Sequence, residues 1–138
     1  MTASIFAGAS YFAIVMAAGF VLGVIRILVL VPSVGEAAAV AVELPVMLVF
    51  CWYVCGFLVR TFAVPRSAMP RLSMGILAFV LLMIAEVGLS VFLFERSLAD
   101  HLRHVGSTPG LMGFAGQVAF ALFPVVQMAS EPERSNGM

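Results

Sequence analysis

The fold is decided by residues 19–45, which read GFVLGVIRILVLVPSVGEAAAVAVELP. Both ends of this stretch are apolar, and Pro32-Ser33-Val34-Gly35 in the middle is a turn-forming cluster. A helix that crosses a bilayer needs roughly 20 apolar residues. The apolar runs continue outward from the turn and cover about residues 4–31 and 36–62. They predict two antiparallel transmembrane helices joined by a short connection.

Two more apolar runs follow, over about residues 72–95 and 110–127. Apolar residues make up 63% of the chain and charged residues 10%, whereas a soluble domain has about 25% charged residues. Helices are favoured over strands, since open strands leave backbone groups unsatisfied in lipid. We predict an all-α fold, a four-helix transmembrane bundle in the lipid bilayer. It forms a single domain over residues 1–128, and a disordered cytoplasmic tail follows over 129–138.

The third connection carries a pattern of its own. Ser97 and Asp100 have the spacing of a capping box, and Leu98, Leu102 and Val105 fall on one helical face. This pattern predicts a short amphipathic helix that lies on the membrane surface.

The arginines predict the orientation of the chain. Arg60, Arg66 and Arg71 occupy the second connection without an acidic neighbour, and the first connection has no basic residue. By the positive-inside rule, the second connection and both termini lie in the cytoplasm. The first apolar run lacks a basic start and a small-residue cleavage site, which favours a retained anchor. We therefore expect a multi-pass protein of a bacterial cytoplasmic (inner) membrane.

Each predicted helix contains one polar residue well inside its apolar span, where it is costly in lipid: Arg26, Glu43, Glu86 and Gln117. Arg26 and Glu43 stand at nearly equal distances from the first turn. At about 1.5 Å per residue, all four residues fall roughly 10–14 Å below the outer boundary. The sequence predicts an intramembrane polar layer to which every helix contributes.

This layer has two interpretations, and the sequence leaves both open. Arg26 can bridge Glu43, or Glu43 and Glu86, as a buried clasp in a non-enzymatic membrane protein. Alternatively, one arginine facing two carboxylates leaves a charge of −1 that a proton can neutralise. That would suit a small homo-oligomeric proton-coupled carrier or proton pathway using Glu86 or Glu43. An accessory subunit of a larger membrane complex is a third reading.

Several residues are predicted to control helix packing. Gly19 and Gly23 have the GxxxG spacing that lets a neighbouring backbone approach, and Gly113 shares the helical face of Gln117. Pro45 has no N–H to donate to the carbonyl one turn earlier, so that carbonyl could accept from Arg26.

Other functions find little support. The chain has no lysine and no net charge, which argues against nucleic-acid binding. Nucleotide-binding and hydrolase motifs are missing, so we expect neither an enzyme nor a cofactor. His101, His104 and Asp100 could ligate zinc, but no fourth ligand accompanies them, and we expect surface residues and no metal. Cys51 and Cys55, four apart, are expected to be packing residues.

The segment GFVLGVIR over residues 19–26, Glu43-Leu44-Pro45 and Glu86 resemble a family of uncharacterised bacterial four-helix integral membrane proteins. The likeness runs from the first helix through the third. It implies the same four-helix architecture and brings no assigned activity.

Overall fold

The computed structural model describes residues 2–93 and 97–130, and every regular element in these two segments is a helix. The helices are α1 (Thr2–Val34, with a π-helical turn at Arg26–Leu30), α2 (Glu36–Thr61), α3 (Ala68–Gly88, continued by a π-helical turn at Leu89–Leu93), α4 (Leu98–Val105) and α5 (Thr108–Ser130). All except α4 are long and apolar enough to cross a membrane. The predicted all-α, four-helix architecture is confirmed.

The first connection is tighter than the sequence predicts. Helix α1 continues to Val34, and Gly35 alone separates it from α2. Gly35 has a φ of 86°, a conformation that glycine adopts without a steric cost. Its N–H donates to the carbonyl of Val31 over 2.9 Å, so the last turn of α1 stays hydrogen-bonded.

Two helix boundaries differ from the predicted ones. Helix α3 begins at Ala68, and Arg71 therefore lies inside its first turn, with only 2% of its surface exposed. Helix α5 continues to Ser130, so the first two residues of the predicted tail are helical. The rest of that tail, 131–138, lies outside the described residues, as does the predicted end of the third helix at Glu95.

The short helix in the third connection is present as α4. The backbone N–H of Asp100 donates to Ser97 Oγ over 3.1 Å, as in a capping box. Helix α4 packs against α5 and against the π-helical turn of α3. Val105 is half-buried, whereas Leu102 is exposed. The location of α4 on a membrane surface stays a prediction.

The four long helices form a ring in which α1 contacts α3 and α2, and α5 contacts α2 and α3. Helices α1 and α5 are therefore diagonal to each other. Two glycines allow a close approach to the backbone of a neighbouring helix. A Cβ added to Gly8 of α1 would lie 2.9 Å from the carbonyl oxygen of Met74, and one added to Gly75 of α3 would overlap the carbonyl oxygen of Ala121.

Large apolar side chains cover the outside of the ring, among them Val21, Leu28, Phe57, Ile84 and Phe92, all more than half exposed. Such a surface suits lipid and not water. The chain is a multi-pass membrane protein.

The interior differs between the two ends of the bundle. We call the half with the chain termini the proximal half, and the half with Gly35 and α4 the distal half. Buried residues concentrate toward the proximal half in one apolar cluster, which includes Tyr11, Cys55, Leu58, Met74 and Phe120. The distal half instead contains the open cavity described next.

Candidate functional site: a polar cavity in the distal half

A cavity of about 730 Å³ lies between the four long helices. Val15, Cys51, Leu82 and Phe120 line its deepest part, which we call the floor. The cavity reaches the distal end of the bundle, where Val105 of α4 lines it. Its ionisable and polar lining residues are Arg26, Glu36, Glu43, Glu86, Ser90 and Gln117. All four residues of the predicted polar layer therefore line one cavity.

Arg26 and Glu43 form an ion pair on the cavity wall. Arg26 Nη1 donates to Glu43 Oε2 over 2.9 Å, and the side chains are 30% and 12% exposed. The pair joins α1 to α2 at nearly equal distances from the Gly35 turn, as their spacing predicts. A guanidinium suits this position because it stays charged in an apolar environment.

Glu86 and Gln117 form the second polar pair. Gln117 Nε2 donates to Glu86 Oε1, which joins α3 to α5. The predicted layer is therefore built as two pairs. Each pair connects two neighbouring helices, and the described ion pair of Arg26 is with Glu43 and not with Glu86.

Both π-helical turns lie beside this wall. Arg26 begins the turn in α1, and Leu89 and Ser90 belong to the turn in α3; all three line the cavity. Single π-helical turns inside α-helices occur frequently at functional sites. Here they fall at the depth where the polar side chains converge.

The residues predicted to control helix packing have other surroundings. Gly19, Gly23 and Gly113 line the cavity. A Cβ on Gly19 would meet only Met47 Cε at 3.8 Å, one on Gly23 only the side chain of Arg26, and one on Gly113 nothing within 4 Å. These glycines keep the cavity open. Pro45 lies within α2 on its exposed side.

The cavity floor is closed by a contact between diagonal helices. Pro124 lies inside α5 and has no N–H, so the carbonyl of Phe120 lacks its usual partner within the helix. The hydroxyl of Tyr11 on α1 donates to that carbonyl over 2.9 Å. The two rings also stack, with centroids 4.1 Å apart. Tyr11 is fully buried directly beneath the floor.

Below the floor, buried side chains satisfy further backbone carbonyls. Arg71 donates to the carbonyl of Pro124 over 3.2 Å and to that of Pro65 over 3.3 Å. Gln127 donates to the carbonyl of Trp52 over 2.7 Å, which joins α5 to α2. The proximal half is thus sealed by apolar packing and by hydrogen bonds between helices.

The metal and cysteine predictions concern residues away from the polar layer. Among the side chains that the structure describes, no group of three His, Cys, Asp or Glu could hold a metal ion. The predicted surface role of His101 and His104 concerns side chains outside the described ones. Cys51 and Cys55 are free thiols, both buried, and only Cys51 lines the cavity.

Sequence reasoning missed Tyr11, Arg71 and Gln127. Each hydrogen-bonds to a backbone carbonyl on another element, and a carbonyl leaves no trace in a sequence. Pro124 was the feature of the sequence that indicated an unpaired carbonyl at Phe120, because a proline inside a helix leaves the carbonyl one turn earlier without its usual donor.

The chain matches no protein-family model, no curated protein and no solved structure. Its cavity therefore carries the functional argument. The cavity has an apolar aromatic floor and a wall with an ion pair and an amide–carboxylate pair. This arrangement can hold a small molecule that has one apolar and one polar end.

Proposed function

We propose that this chain is a non-enzymatic multi-pass protein of a bacterial cytoplasmic membrane, with both termini in the cytoplasm, and that its cavity binds a small amphipathic molecule from the outer face. The convergence of Arg26, Glu43, Glu86 and Gln117 on one cavity carries the proposal. The apolar part of the ligand would lie on the floor, and its polar end would hydrogen-bond to the wall.

Three physical observations support a binding role. The volume of about 730 Å³ falls within the range of small-molecule sites, roughly 300–1,000 Å³. A bundle held by packing alone would fill its centre to crystal-like density. Here glycines occupy the cavity wall, and polar side chains line it at a depth where each one is costly in lipid.

Accessibility of an introduced thiol tests the cavity. Gly113→Cys and Gly88→Cys are made in a chain whose Cys51 and Cys55 are replaced by alanine. A Cβ meets nothing within 4 Å at either glycine, but only Gly113 lines the cavity, so Gly88→Cys is a matched control. Intact cells are treated with a membrane-impermeant methanethiosulfonate cation. We expect labelling at position 113 and little at position 88.

Protection from labelling tests ligand binding. Tetraphenylphosphonium and anilinonaphthalene sulfonate are a hydrophobic cation and a hydrophobic anion, and both are soluble probes. We expect at least one of them to slow labelling at position 113 without affecting position 88. Equal labelling of the two positions, or no protection by either probe, would contradict the binding role. Labelling at 113 only after the cells are opened would instead reverse the proposed orientation.

A further inference from the structure

We propose that Tyr11, Phe120 and Pro124 form a gate that separates the cavity from the proximal half of the bundle. This inference rests on the proposed function, because it assigns a regulated path to a ligand held in the cavity. It concerns a movable barrier and not a second binding site.

The barrier lies between the floor of the cavity and the proximal half of the bundle. Phe120 and Cys51 line the cavity floor, and Tyr11 lies beneath them with no exposed surface. Cys55, one helical turn from Cys51 on α2, belongs to the same buried cluster as Tyr11. The ring of Tyr11 therefore stands between the cavity and the interior of the proximal half.

One hydrogen bond and one ring stack tie Tyr11 to the diagonal helix, within the buried apolar cluster. Tyr11 crosses the bundle to reach the diagonal helix α5, where it makes one hydrogen bond of 2.9 Å and one ring stack. A single hydrogen bond makes a modest net contribution to stability. Breaking this bond and the ring stack would therefore separate Tyr11 from α5.

Pro124 provides a hinge in α5 close to the barrier. Prolines inside helices are the usual sites of helix bending, because one backbone hydrogen bond is already missing. Arg71 holds the carbonyl of Pro124 on the proximal side. On the distal side, the backbone of Ala121 rests directly against Gly75 of α3. Helix α5 can therefore bend at Pro124, between its contact with Gly75 and its hydrogen bond to Arg71.

Opening the gate would move Phe120 away from Tyr11 and extend the cavity to Cys55. The native cysteines report this change directly. Cys55→Ala leaves Cys51 as a reporter on the cavity side, and Cys51→Ala leaves Cys55 as a reporter behind the gate. The full-length protein is used in open membrane sheets, so that the methanethiosulfonate cation reaches both faces.

We expect Cys51 to react and Cys55 to be protected when Tyr11 is present. Tyr11→Phe removes the hydrogen bond but keeps the ring, and we expect it to raise the Cys55 reaction rate about tenfold, as the loss of one hydrogen bond permits. Phe120→Leu, which removes the ring stack and keeps the carbonyl, should act in the same direction. Tyr53→Phe is the matched control, since Tyr53 is 72% exposed on the lipid side.

Each outcome decides the proposal. Reaction of Cys55 that is no faster in Tyr11→Phe and Phe120→Leu than in Tyr53→Phe overturns the gate, while a reactive Cys51 leaves the cavity proposal intact. The gate is also overturned if Cys55 reacts as fast as Cys51 in protein that retains both Tyr11 and Phe120. Unreactive thiols at both Cys51 and an introduced Gly113→Cys would overturn the cavity and the gate together.

Discussion

The hydroxyl of Tyr11 donates to the carbonyl of Phe120, 109 residues away and on the diagonally opposite helix. The proline four residues after Phe120 makes this carbonyl available, because it removes the N–H that would otherwise occupy it. A proline that would weaken an isolated helix thus creates the acceptor that ties α5 to α1. The bond lies at the boundary between the closely packed proximal half of the bundle and the distal half, which contains the cavity.

Replacing Tyr11 by phenylalanine should lower stability, because the Phe120 carbonyl is then buried without its donor. We expect Tyr11→Phe to lower the free energy of unfolding by about 1–3 kcal/mol, the cost of an unsatisfied buried group. Tyr53→Phe should change it little, since the Tyr53 hydroxyl is exposed. Thermal melts of both variants in the same detergent make the comparison, and equal melting temperatures would contradict the assigned role of the bond.

Removing either partner of the Arg26–Glu43 pair should also destabilise the bundle. Breaking a fully buried pair costs about 3–5 kcal/mol. Because Arg26 is 30% exposed, we expect a smaller loss of about 2–3 kcal/mol for Glu43→Ala or Arg26→Ala. The double variant Arg26→Glu with Glu43→Arg should recover part of this loss, as measured by thermal melting. Full stability in both single variants would show that the pair does not hold the helices together.

The polar layer could be predicted from the sequence because the depth of each polar residue depends on the number of residues between it and the end of its helix. Helical rise is constant, so Arg26 and Glu43 reach one level from a shared turn whatever surrounds them. The Arg26–Glu43 pair was among the predicted arrangements, but the partner of Glu86 could not be predicted, since it depends on which helices are neighbours. Helices α2 and α3 follow each other in the chain but occupy opposite corners of the ring, and Glu86 therefore meets Gln117 of α5.

The helix contacts of the glycines could not be predicted from the sequence either. The GxxxG spacing of Gly19 and Gly23 suggested a close helix contact, yet both glycines line the cavity. The close backbone contacts are made by Gly8 and Gly75 instead. Spacing identifies residues that permit an approach, but only the arrangement of the helices decides whether a neighbour is there.

Alanine at two glycines of α3 should therefore give opposite results. A Cβ at Gly75 would overlap the backbone of Ala121, which cannot move aside as a flexible side chain can. We expect Gly75→Ala to destabilise by about 1–3 kcal/mol or more, as overpacking does. At Gly88 a Cβ meets nothing within 4 Å, so Gly88→Ala should be neutral or slightly stabilising in the same melting assay. Equal effects would contradict the close approach of α3 to α5.

A bulky residue at Gly113 should fill the cavity without disturbing the fold. Because a Cβ there meets nothing within 4 Å, we expect Gly113→Leu to keep the wild-type melting temperature. It should reduce labelling of Cys51 by the methanethiosulfonate cation. Gly88→Leu, outside the cavity, should leave labelling unchanged. Undiminished labelling in Gly113→Leu would mean that the reagent reaches Cys51 by another route.

The sequence predicts that Arg71 lies in the second connection, but the structure places its guanidinium inside the bundle, on the carbonyls of Pro65 and Pro124. These acceptors lie in the second connection and in α5, and reaching both requires separated donors on a planar group. Lysine keeps the charge but concentrates its donors on one nitrogen. We therefore expect Arg71→Lys to destabilise the bundle nearly as much as Arg71→Leu, by about 2–4 kcal/mol, within the range for breaking buried polar contacts. Arg60→Lys, at the exposed end of α2, is the control and should melt like the wild type. Wild-type melting in Arg71→Lys would mean that charge alone matters at this position, and that the two-carbonyl contact does not stabilise the proximal half.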